Sequence, residues 1–186
     1  CTAELSAVDG AGDTPLHVCC RHGQYNFVEL CVARGADAMA VGRGGDTPLH
    51  AVAVLRSSTG VIAATAISRA LLRAGAAVDA RRRDDGSTAL MLAAATGNMW
   101  LAHVLLAHDA DDALVDASGA DARQRAQSCG ENALHRLLTQ HARAREAEVA
   151  QSRGELSVEQ KVMLQHMRQF LRLHELFYEC DDHRGA

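Results

Sequence analysis

The string Gly-Asp-Thr-Pro-Leu-His stands at residues 12–17 and again at 45–50, so Thr14 and Thr47 lie 33 residues apart. A looser copy, Gly-Ser-Thr-Ala-Leu-Met, begins at Gly86, and a further one, Gly-Glu-Asn-Ala-Leu-His, begins at Gly130. The next intervals, Thr47 to Thr88 and Thr88 to Asn132, are 41 and 44 residues, which keeps the period with insertions of 8 and 11. A period of about 20–50 residues marks a chain built by stacking one supersecondary unit on itself. This single feature excludes most folds open to a chain of 186 residues.

Each copy carries the signals of a helix pair. Thr14, Thr47, Thr88 and Asn132 have side-chain oxygens suited to capping the first amides of a helix. Pro15 and Pro48 follow at the first helical position, where a missing N–H costs nothing. A short apolar helix comes next, such as Leu16 to Arg21, and Gly23 or Gly97 ends it with a residue free to take positive φ. The second helix has apolar residues at i, i+3 and i+4: Phe27, Leu30 and Cys31 in one copy, Leu101, Val104 and Leu105 in another. Arg34-Gly35-Ala36 and Arg73-Ala74-Gly75-Ala76 stop that helix with a basic last turn and a glycine. Neither helix is long enough to be stable alone, so neighbouring units must cover each other's faces.

At these residues the chain resembles the ankyrin-repeat family. The TPLH strings, the turn at Gly23 and Gly-Ala-Asp at 35–37 carry the likeness, which extends over about residues 7–141. The resemblance implies an all-α solenoid of stacked helix–turn–helix units, each with a β-turn finger. It places units near 12–45, 46–85, 86–129 and 130–156, with an incomplete unit before residue 12. Ala89 and Ala133 replace the motif Pro, and Met91 replaces the motif His. His17, His50 and His135 then occupy a structural hydrogen-bonding position.

Composition agrees with thin, close-packed helices: 48% hydrophobic residues but only 3% aromatic. A net charge of −4 gives no reason to expect nucleic acid, and no apolar run reaches the roughly 20 residues that span a bilayer. Six cysteines, at 1, 19, 20, 31, 129 and 180, form no CxxC pair. Adjacent Cys19 and Cys20 in an apolar segment read as small core residues in a reducing compartment, so the chain is expected inside the cell, in cytoplasm or nucleus. His17, Cys20 and His22 do not share one helical face, so no metal site is expected. No nucleophile stands in an activating frame and no Gly-rich loop cradles phosphate, so neither catalysis nor a cofactor is expected.

The expected function is protein binding, as a scaffold or adaptor. The alternative is a regulatory or architectural segment of a larger protein whose activity lies elsewhere. The family's contact surface, carried over by register, puts finger tips at Gly10, Ala11 and Asp13, then Arg43, Gly44 and Asp46. It continues with Asp84, Asp85 and Ser87, then Ser128, Cys129 and Glu131. First-helix ends fall at Arg21 and His22, Val54 and Leu55, Ala95 and Thr96, and Thr139 and Gln140. Val54 and Leu55 form an apolar pair that either anchors a partner or is covered by the insertion after Arg56. Arg81-Arg82-Arg83-Asp84-Asp85 is either a solvated finger tip or an electrostatic label. Trp100, the single Trp, is expected to pack under the 113–128 insertion rather than stand exposed.

Residues 142–186 read as a helical extension. Ala142 to Arg153 continues a helix that Gly154 breaks, and Ser157 with Gln160 forms a capping box opening another. Its stripe, Met163, Met167, Phe170, His174 and Phe177, would seal the last unit's apolar face or serve a partner. At the other end, Asp9–Asp13 reads as an outgoing finger. Further repeats or another domain are therefore expected before Cys1.

Overall fold

The computed structural model describes residues 5–55 and 58–153, together with 162, 165 and 166. Among these residues the secondary structure is helical, without strands. The chain divides into two compact units, residues 1–136 and 137–186.

In the first unit, α1 (Pro15–Arg21) and α2 (Tyr25–Ala33) form one antiparallel pair. The next pairs are α3 (Pro48–Ala53) with α4 (Ser58–Arg73), then α5 (Ala89–Thr96) with α6 (Met99–Ala107). The first helices stack in a row, α1 on α3, α3 on α5 and α5 on α7 (Ala122–Ser128). Second helices do likewise, α2 on α4 and α4 on α6. Local chemistry explains the starts. Pro15 and Pro48 sit at the opening of α1 and α3 behind extended Thr14 and Thr47. Thr88, with no proline after it, caps α5 through its side chain, accepting from Met91 N–H.

Four fingers precede the four first helices, each closed by a backbone hydrogen bond, the third spanning one residue more than the others. Asp9 N–H donates to Asp13 O, Gly42 to Asp46, Arg82 to Ser87 and Asp116 to Ala120, all at 2.8–3.0 Å. Each turn holds a glycine at positive φ: Gly12, Gly45, Gly86 and Gly119. At Gly45 the need is double, because a Cβ there would also come within 2.6 Å of the Arg83 backbone nitrogen.

These turns correct the expected register of the fourth unit. Gly119 follows Gly86 by 33 residues, and Asp121 follows Thr88 by 33. Asp121 opens α7 with a capping box, its side chain accepting from Gln124 N–H while Asp121 N–H donates to the Gln124 amide oxygen. Residues 112–128 are therefore no insertion: they are the fourth finger and its first helix. Gly130, at φ 78°, matches the helix-corner glycine Gly97. The string Glu131–His135 thus opens a second helix, α8 (Asn132–Ser152). His135 does not take the motif position; its Nδ1 bonds the Arg123 carbonyl at 3.1 Å.

The 8-residue insertion between units two and three lengthens α4, which runs 16 residues against nine in α2 and α6. In the second compact unit, α8 continues to Ser152 as one helix. The expected capping box at Ser157 and the stripe from Met163 to Phe177 lie outside the described residues. No described helix is long and apolar enough to cross a membrane.

Candidate binding surface

The first two junctions between units are made by imidazoles. Thr14 N–H and Thr14 Oγ1 both reach His17 Nδ1, at 3.3 and 2.8 Å. Both groups donate to Nδ1, which leaves the proton on Nε2, and Nε2–H donates to the Asp46 carbonyl of the next unit at 3.1 Å. His50 repeats the device, taking Thr47 N–H and Oγ1 on Nδ1 and giving Nε2–H to the Ser87 carbonyl at 3.1 Å. Both rings are fully buried. Met91 fills the same place in the third unit and cannot make this link.

That third junction is held by charge. Arg125 on α7 donates from Nε to Asp116 at 2.7 Å and from Nη2 to Ser87 Oγ at 3.0 Å. Asp116 is buried and also accepts from Ser118 N–H, Ser118 Oγ and Ala120 N–H. The Ser118 hydroxyl and the Arg125 guanidinium hold its carboxyl well below the usual carboxylate range, against the opposing effect of burial. Ala117 N–H donates to the Asp85 carbonyl and Arg81 to the Val115 carbonyl, tying finger to finger.

Burial makes His50 a poorer base, opposed in part by the nearby Asp46 carboxylate. A depressed histidine pKa means that the unfolded chain takes up the proton first as pH falls. The stability tied to neutral His50 is full above about pH 6.5 and drains below it. The urea midpoint should therefore fall between pH 7.5 and 5.5. An unchanged midpoint across that range would refute the assignment.

The surface residues expected from register divide into two groups. Asp46 is buried and ion-paired to Arg82 at 2.6 Å, and Ser87 is fully buried, so neither is a free tip. Thr96 is committed to the Ala53, Leu92 and Ala93 carbonyls. Arg21 pairs with Asp13 at 2.8 Å, and Asp85 bonds Ser87. Glu131 lies against the Gly97 corner, and Ser128 and Cys129 end α7, so these three belong to a helix corner and not to a finger. Thr139 and Gln140 fall within α8. His22, Arg43, Asp84 and Gln140 are exposed.

Val54 is 47% exposed at the end of α3, all of whose own residues are buried. Leu55 differs: it is half-buried, with its methyls within 3.9 Å of the site of a Cβ on Gly23. Trp100 is 39% exposed rather than covered, since the segment expected over it is finger and helix of the next unit. Arg125 and Asp116 were not expected from sequence. The 33-residue spacing of Gly86 and Gly119 is the signal that would have placed them. Among the described residues no group of three or more His, Cys, Asp or Glu comes together as a metal-ligand set.

No curated protein matches the chain. The Ankyrin repeat family model matches residues 11–43, the stretch from the first finger through α1 and α2 to the second finger. The same finger, cap and first helix recur at Thr47, Thr88 and Asp121, which is consistent with an ankyrin-repeat protein, and ankyrin repeats are in general protein–protein interaction modules.

Proposed function

We propose that this chain is a scaffold or adaptor module that holds a protein partner along the exposed ends of its first helices and its finger tips. The observation that carries this reading is Val54. It belongs to a register column, Arg21, Val54, Ala95 and Ser128, that recurs once per unit at the end of each first helix. An apolar side chain left 47% exposed there, on a helix otherwise fully buried, is suited to anchor a partner. Arg43 and Asp84 stand exposed on successive fingers, where opposite charges favour one register of approach. Catalysis has no part in this reading, and the compartment is left as intracellular.

The test is affinity capture from native lysate with the wild-type chain, Val54→Glu, and the pair Arg43→Glu with Asp84→Lys. These positions are exposed, so the fold should survive, and a partner held by this surface should be lost by at least tenfold. Equal capture of every partner by all three proteins would remove the surface from consideration. Asp46 and Ser87 are unsuitable for this purpose, because changing them disturbs the fold itself.

A further inference from the structure

The loops that follow the second helices share one register. Ala36, Ala76 and Ala110 donate their N–H to the carbonyls of Cys31, Leu71 and Leu105. Met39, Asp79 and Ala113 are therefore equivalent, and so are Asp37, Ala77 and Asp111. Between the second and third loops, Asp111 N–H donates to Asp79 Oδ1 at 3.0 Å. Between the first and second, the equivalent donor, Ala77 N–H, meets the Met39 sulfur at 3.1 Å. The same link is thus made once to a carboxylate oxygen and once to a thioether, which is a weak acceptor.

Met39 is both held and reachable. Its own N–H donates to Asp37 Oδ1 at 2.8 Å, which fixes the backbone from which the side chain extends. The residue is 39% exposed, whereas Met99 is half-buried and Met91 is 1% exposed. An oxidant therefore has access to Met39, and oxidation turns an apolar thioether into a polar sulfoxide. In a core that change disrupts packing. At Met39 it supplies an oxygen where the next loop already uses one.

We propose that Met39 is a reversible oxidation site, whose sulfoxide oxygen accepts Ala77 N–H and tightens the link between the first and second units. A hydroperoxide is the co-reactant. The sulfur lone pair attacks one peroxide oxygen, and the O–O bond breaks as the S–O bond forms. The departing oxygen takes up the proton, giving water from hydrogen peroxide. Sulfur loses two electrons and the peroxide gains them. At 3.1 Å the sulfur stands too near the Ala77 nitrogen for an oxygen to enter between them, so the side chain draws back. An unbranched chain with three rotatable bonds permits that movement, and a sulfoxide reductase reverses the chemistry. This link joins two loops and is separate from the Val54 column, so either assignment can fail without the other.

The test treats the full chain with hydrogen peroxide, then with dithiothreitol, which reduces cysteine disulfides and leaves sulfoxide in place. Peptide mapping by mass spectrometry should find oxygen added at Met39 roughly tenfold faster than at Met91. In the oxidised chain the Ala77 amide, followed by NMR, should exchange at least about threefold more slowly. Methionine sulfoxide reductase should restore the original rate. Met39→Leu keeps the size but has no acceptor, so its Ala77 amide should exchange faster than in untreated wild type and ignore peroxide. Met39→Asp, which copies Asp79, should show the slowed rate without treatment. Oxidation at Met39 no faster than at Met91 would overturn the proposal. So would an Ala77 amide that is unchanged or faster in the oxidised chain or in Met39→Asp, or one that peroxide slows equally in Met39→Leu.

Discussion

Asp116→Ala should destabilise the stack by about 3–5 kcal/mol, the range for removing one partner of a buried ion pair. The carboxylate has no exposed side-chain surface and accepts from Arg125, from Ser118 N–H and Oγ and from Ala120 N–H. Alanine leaves the finger's own amides unpaired and strands the guanidinium, whose remaining partners are Ser87 Oγ and the more distant Asp85. Because units touch only their neighbours, the loss should be local at first. Amide exchange should accelerate in α7 and the 116–120 finger well before α1 and α2 respond. Asp84→Ala, on an exposed finger position, is the matched control and should stay within about 0.5 kcal/mol. If both substitutions shift the urea midpoint alike, the charge network does not hold the third junction.

That network also shows where sequence reading stops. The first three units are legible because their chemistry is redundant: threonine cap, proline or alanine start, leucine and finger glycine all agree, with a corner glycine in the first and third. The fourth unit keeps the finger glycine and the cap, but its helix reads Ala122-Arg123-Gln124-Arg125 where the first reads Pro-Leu-His-Val. Arg125 stands in the column of Val18, Ala51 and Leu92, so an apolar contact has been exchanged for an ion pair, which hydrophobic periodicity cannot detect. Eleven residues on, Asn-Ala-Leu-His at 132–135 imitates the motif better than the true copy does. Among surface residues the difficulty is orientation. Asp46 and Asp84 both sit on charged fingers, yet Asp46 turns inward to Arg82 while Asp84 faces water. Only the three-dimensional meeting of two fingers separates them. The place of Val54 at the end of its helix follows from register alone, whereas its exposure depends on what the neighbouring insertion covers.

The junction histidines allow the sharper test, since the chain itself carries the substitution at Met91. His50→Met should cost roughly 1–3 kcal/mol, although methionine fits an apolar site of this size. The cost comes from polar groups and not from volume. Thr47 N–H loses Nδ1 in a buried residue, an orphaned group that carries about 1–3 kcal/mol, whereas the Ser87 carbonyl loses Nε2–H but keeps the Arg82 N–H. At Met91 the junction is made differently: Thr88 Oγ1 accepts from Met91 N–H, and Arg125 of the fourth unit reaches Ser87 Oγ in place of an imidazole. No such arginine serves the second junction: its charged link, Arg82 to Asp46, lies between the fingers and does not pair Thr47 N–H. The substitution should also remove the part of the acid-side stability loss that comes from His50, flattening the urea midpoint between pH 7.5 and 5.5 relative to wild type. A variant that is destabilised but keeps the wild-type pH slope would place that titration in another group. A variant as stable as wild type would mean that Arg82 and Asp46 already suffice to join the second and third units.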